Sequence, residues 1–85
     1  LNYWVYILLC ENGAYYTGYT NDLETRYQQH LSGKGAKYTR SFKPIKIAQS
    51  WEVSDKSTAM KMEAHLKKLT RKEKEKMILN HSPLP

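Results

Sequence analysis

Two runs rich in aromatic and β-branched residues, YWVYILLC at 3–10 and AYYTGYT at 14–20, are parted by Glu11-Asn12-Gly13. No other feature of the chain restricts its fold as much. Asn-Gly between two such runs is the strongest short-range signal for a β-hairpin, because both residues tolerate the positive φ of a tight turn. Two registers are open. A two-residue Asn12-Gly13 turn pairs Leu9 with Tyr16 and sends Tyr6 and Tyr16 to opposite faces of the sheet. A three-residue loop pairs Leu8 with Tyr16 and Tyr6 with Gly18, which puts both tyrosines on one face.

Beyond the hairpin the period lengthens. Asn21 is an N-cap candidate with Glu24 three residues later, and Leu23, Tyr27 and Leu31 recur at helical spacing until Gly33 ends the helix. A basic loop, GKGAKYTRSFKP, then leads to an expected third strand at Ile45–Val53. Ser54 or Asp55 can cap a second helix to about Leu69, with Ala59, Met62, Leu66 and Leu69 on its apolar face. Thr70 and Glu73 form a capping box that opens a third helix through about Leu79. The order ββαβαα predicts an α/β domain over residues 1–80, a small three-stranded sheet covered by helices, with 81–85 as a frayed tail.

Eighty-five residues allow one small domain. A 40% hydrophobic and 12% aromatic content excludes a disordered chain. The longest apolar run, Val5 to Cys10, is far short of the roughly 18 residues of a membrane span, and no signal-peptide pattern surrounds it. A lone cysteine, Cys10, can form neither an internal disulfide nor a cysteine-based zinc site, which suits a reducing cytoplasm. The net charge is +6, carried almost wholly by the second half: residues 43–85 hold ten basic against five acidic side chains. Such a basic domain has the electrostatic footprint of a nucleic-acid binder. One false trail is removed by chemistry: Gly13 to Thr20 has the outline of a phosphate-binding GxxxxGK[ST] loop, but Tyr19 stands where the lysine must be.

Charged residues stand where the helical faces turn inward. Arg26 and His30, four apart, share the stripe that follows Leu23 and Tyr27; Glu63 lies four after Ala59 and three before Leu66. A charge beside a core needs a partner. Either Arg26 and Glu63 form a structural ion pair, or the three residues are a site, with Arg for phosphate, His for proton transfer and Glu for a divalent metal.

WVYIL (Trp4–Leu8), YTG (Tyr16–Gly18), the Asn21–His30 segment NDLETRYQQH and AMKMEAHLKKL around Glu63 together resemble the GIY-YIG nuclease family. The similarity spans nearly the whole chain and is closest to small single-domain bacterial members, which share GKGAKYTR at 33–40. The resemblance implies a metal-dependent endonuclease acting on DNA phosphodiesters, with structure-specific cleavage in repair or recombination as its setting. It implies Tyr6 as activator of the attacking water, Tyr16 as a hydrogen-bonding neighbour, Arg26 on the phosphate, His30 as proton relay from Tyr6, and Glu63 as ligand of Mg²⁺ or Mn²⁺. Three positions depart from the family pattern: Trp4 replaces the first glycine, Tyr19 stands where some members carry lysine, and Asn80 is only a loose counterpart of a late asparagine. A shared site requires Tyr6 and Tyr16 on one face, so the three-residue loop is the expected register, with Gly13 left-handed.

Lys34, Lys37, Arg40, Lys43 and Lys46 recur every third residue with no acid among them, and with Tyr38 they are the expected grip on the nucleic-acid backbone. DNA is the expected partner, with RNA compatible, no membrane, and a targeting protein to supply specificity. Trp4 and Trp51 read as packing residues and His65 as solvent-facing; the alternating Lys and Glu of 67–76 read as a solvated helix face. The alternatives to a nuclease are a non-catalytic nucleic-acid module on the same fold and a basic protein-interaction domain.

Overall fold

A computed structural model describes residues 2–81. Strands β1 (Tyr3–Cys10) and β2 (Tyr15–Thr20) form the hairpin, followed by helices α1 (Leu23–Leu31) and α2 (Lys37–Ser41), strand β3 (Pro44–Val53), and helices α3 (Lys56–Lys68) and α4 (Arg71–Asn80). The sheet order is β2-β1-β3, antiparallel throughout. The central β1 is covered on both faces, which explains its nearly unbroken apolar run: Val5, Tyr6, Ile7, Leu8 and Cys10 are all buried.

The hairpin takes the three-residue loop. Leu8 pairs with Tyr16 and Tyr6 with Gly18, and Gly13 has φ +83°. Period-two alternation then sorts the side chains. Val5, Ile7 and Trp51 meet Ala59 and Leu66 of α3 in the main core, with Met77 and Ile78 of α4 packed against it. Tyr6 and Tyr16 face the other way, toward α1.

Caps set the helix starts. Asp55 accepts from the Thr58 amide at 2.7 Å, and Thr70 with Glu73 completes the reciprocal capping box. The first helix begins one residue later than expected: Asp22, not Asn21, is the N-cap and accepts from Thr25 N at 3.1 Å, while Glu24 bonds Gln28 instead. The loop of 33–44 contains a helix that its sequence does not announce, α2, so the order is ββααβαα. Against β3 the register slips twice, between Ile7 and Leu8 and between Leu9 and Cys10. These bulges let β3 bend along the central strand. Of the expected tail, His81 closes α4 in a left-handed conformation and stacks on Trp51; residues 82–85 lie outside the described part.

Candidate active site

The edge strand β2, the adjoining half of β1, the start of α1 and the inner side of α3 enclose a cleft of about 400 Å³. Tyr6, Tyr16, Arg26 and Glu63 all line it, together with Gly18, Tyr19, Asn21 and Lys56. Four segments far apart in sequence thus converge. The hairpin register brings the two tyrosines to one face, helix spacing turns Arg26 inward one turn before His30, and Ala59 and Leu66 anchor α3 so that Glu63 stands at the edge of the core.

Tyr6 is 2% exposed, and its ring lies against Gly18; a β-carbon there would stand 2.5 Å from the phenol oxygen. The second glycine of the GKG segment does the same for His30: a β-carbon at Gly35 would stand 2.5 Å from Nδ1. His30 is completely buried, more than its helix position alone foretells. Its Nε2 lies 2.9 Å from Tyr6 Oη, its Nδ1 2.7 Å from Thr39 Oγ1, and Tyr16 meets its ring edge-on. Burial, helped by the positive charge of Arg26, pulls the His30 pKa down to about 4, so the imidazole is neutral at pH 7. Burial likewise pushes the Tyr6 phenol up to about 12; Arg26 pulls it down, less strongly, while Tyr16 and Glu63 add to the rise.

Arg26 and Glu63 do not form an ion pair among the described residues. Arg26 Nη1 donates to Gln29 Oε1 at 3.0 Å, and Glu63 Oε1 is met by Lys67 Nζ at 3.5 Å from the next turn of α3. The structural pairing that the sequence allows is therefore not what holds either residue. Both charges instead border the cleft.

The six residues of the expected backbone grip lie outside the cleft. Lys37, Tyr38 and Arg40 lie on α2, Lys34 and Lys43 in the segments flanking it and Lys46 on β3, with Tyr38 stacked on Tyr16 and touching Phe42. Sequence reasoning missed Thr39, Gly35, Asn21 and Lys56. Thr39 and Gly35 sit inside the GKGAKYTR segment, whose basic residues draw attention to charge alone. Lys56 follows the Asp55 cap and has the pattern of an ordinary first-turn residue.

The family model described as the GIY-YIG catalytic domain matches residues 2–76. The chain belongs to the GIY-YIG family. The matched range includes WVYIL with Tyr6 and YTG with Tyr16, which fall on the paired strands β1 and β2. The chain is 45% identical over 78 residues to the UPF0213 protein BH0048 of Halalkalibacterium halodurans, covering 92% of this chain and 83% of that one. The solution structure of that protein superposes with a TM-score of 0.59. It is also 49% identical over 70 residues to the UPF0213 protein XAC3202 of Xanthomonas axonopodis pv. citri, covering 82% and 69% of the two chains. The solution structure of the protein EF2693 from E. faecalis matches with a TM-score of 0.64 at 40% identity, covering 95% of this chain and 86% of that one. No helix among the described residues is long and apolar enough to cross a membrane.

Proposed function

We propose that the protein is a divalent-metal-dependent endonuclease that hydrolyses DNA phosphodiester bonds, acting on structured DNA in repair or recombination. One observation carries the reading: Tyr6, Tyr16, Arg26 and Glu63 border a single cleft, with the phenol of Tyr6 in reach of a buried, neutral His30.

The chemistry follows from the side chains. Arg26 offers paired N–H donors to the phosphate and stabilises the charge that builds on it during attack. Tyr6 has the wrong pKa to act as a base alone, since a phenol held near 12 stays protonated at pH 7. It can act as a relay, accepting a proton from the attacking water while passing its own to His30 Nε2, so no free phenolate forms. Tyr16 packs on the imidazole and keeps its edge toward Tyr6. As the P–O bond breaks, the leaving oxygen takes up a proton from solvent at the open side of the cleft.

Glu63 is the expected metal ligand. The described residues hold no cluster of three or more His, Cys, Asp or Glu able to enclose an ion. The donors that border the cleft are oxygen-bearing, one carboxylate with tyrosine phenols and the Asn21 amide. That set fits a hard cation that keeps several waters and shares the substrate phosphate, and not a thiol- or imidazole-bound metal. Mg²⁺ or Mn²⁺ bound there supplies positive charge to the phosphate oxygens. The cations of 34–46, with Tyr38, are assigned to the nucleic-acid backbone.

The test is a panel of labelled nicked, flapped, branched, duplex and single-stranded DNAs, with matched RNAs, incubated with Mg²⁺, Mn²⁺ or EDTA. Cleavage is expected only with metal, and Tyr6→Phe should abolish it without unfolding the protein. Salt-sensitive binding with no cleavage under any condition would instead assign the protein as a non-catalytic nucleic-acid module.

A further inference from the structure

The relay above works in one direction only if Nε2 of His30 is the bare nitrogen. Neutral imidazole carries a single N–H, and the partner of one nitrogen decides where the other points its lone pair. His30 and Thr39 are both completely buried, so their polar atoms must satisfy each other.

The hydrogen bonds can be traced from their fixed end. The Ala36 carbonyl can only accept. Thr39 Oγ1 lies 3.1 Å from it, in a back-bond across one turn of α2. That carbonyl also accepts from Arg40 N at 3.1 Å. Since a hydroxyl has one proton, both Thr39 contacts are hydrogen bonds only when that proton goes to Ala36. What Thr39 then turns toward His30 Nδ1, 2.7 Å away, is a lone pair. With both bonds made, Nδ1 is the N–H. Nε2 is left without a proton, and at 2.9 Å it accepts from the phenol of Tyr6. Gly35 lets the segment close over the ring, because any side chain there would collide with Nδ1.

We propose that Thr39 is a positioning residue of the active site: through the Ala36 carbonyl it fixes the Nδ1–H tautomer of His30 and so points the relay from Tyr6 to Nε2. The short α2 helix is then part of the proton path, in addition to carrying cations. During the step, the water O–H bond breaks and Tyr6 Oη gains that proton. The original Tyr6 proton forms a bond to Nε2, and the resulting imidazolium keeps its Nδ1–H on Thr39. The inference rests on the nuclease reading for its catalytic meaning, but the tautomer is a property of the free protein.

The experiment uses that independence. Long-range ¹⁵N–¹H correlation on the imidazole of the free protein at neutral pH reads the tautomer directly, without substrate or metal. Wild type and Thr39→Ser should both show Nδ1–H. Thr39→Val keeps the shape and removes the acceptor, so the proton should move to Nε2. Single-turnover cleavage by the Val variant should then fall about ten- to a hundredfold, the range seen when a supporting hydrogen bond is removed, with KM unchanged and with Ser restoring the rate. A wild-type spectrum showing Nε2–H would overturn the proposal, as would a Val variant that keeps both Nδ1–H and the wild-type rate. Should the Val variant not fold, the wild-type tautomer decides alone. An inactive wild type whose Thr39→Val variant still switches tautomer would sink the nuclease reading while upholding the Thr39 lock.

Discussion

Gly18 shows how little space the site leaves. The cross-strand partner of Tyr6 has no side chain, and an added methyl would sit 2.5 Å from the phenol oxygen and 2.7 Å from Cζ. Gly18→Ala should push the ring aside, break its hydrogen bond with His30 and lower cleavage at least tenfold. Its stability cost should be the roughly 1–3 kcal/mol of overpacking, measured by urea unfolding beside a single-turnover assay. Glu63 poses the opposite case. Its ion pair is with the exposed Lys67 on the same helix, a type worth about 0.3–0.5 kcal/mol. Glu63→Gln should therefore leave the unfolding free energy within about 0.5 kcal/mol of wild type while cleavage collapses. A large fall in melting temperature with cleavage intact would remove Glu63 from the metal.

The elements are unevenly legible in the sequence, for reasons that differ among them. The hairpin can be read because Asn12-Gly13 limits the loop and a shared face for Tyr6 and Tyr16 selects the register. Helices α3 and α4 can be read because Asp55 and Thr70 cap them and apolar spacing runs over several turns. The first cap slips by a residue because Asn21 and Asp22 are both good caps, and only packing chooses between them. Helix α2 has no sequence signature: it spans five residues, too few for a period, and its N-cap, Ala36, makes no side-chain bond. The burial of His30 is hidden for a related reason, since its partners come from β1, β2 and α2, and no local pattern joins them. The cations around α2 permit a test at this scale. If Lys34 and Lys37 meet duplex phosphates, replacing both with Ala should flatten the log–log salt dependence of binding by about 0.9 for each phosphate no longer neutralised. An unchanged slope would return these lysines to solvent.

At the scale of the whole molecule, a site partly buried under a small sheet ties stability to protonation. In the folded protein His30 binds its proton only near pH 4, whereas the unfolded chain takes one up near 6.5. Protons thus favour the unfolded state as pH falls. The stability that neutral His30 contributes is complete above pH 6.5 and drains away down to about 4, a decline of about 2 to 3 kcal/mol. The capping carboxylates Asp22, Asp55 and Glu73 are held below their usual range by their amide bonds, so their contributions go at lower pH still. Urea unfolding between about pH 7.5 and 4.5 should show a decline that His30→Gln flattens; equal slopes in both proteins would separate His30 from acid stability.

Both described ends of the chain meet the same stretch of β3. Tyr3 pairs with Val53, the Asn2 amide donates to Glu52, and His81 bonds the Ser50 carbonyl at 3.0 Å with its ring over Trp51. The fold therefore has its entrance and exit side by side, like a plug whose two leads emerge together. Such a unit can be spliced into a host loop without stretching either chain. Residues 2–81 inserted into an exposed loop of a carrier protein should unfold cooperatively at the urea midpoint of the free domain. Tyr3, the residue next to the splice, lines the cleft, so the graft would set the cleft beside the carrier and whatever polymer the carrier brings to it.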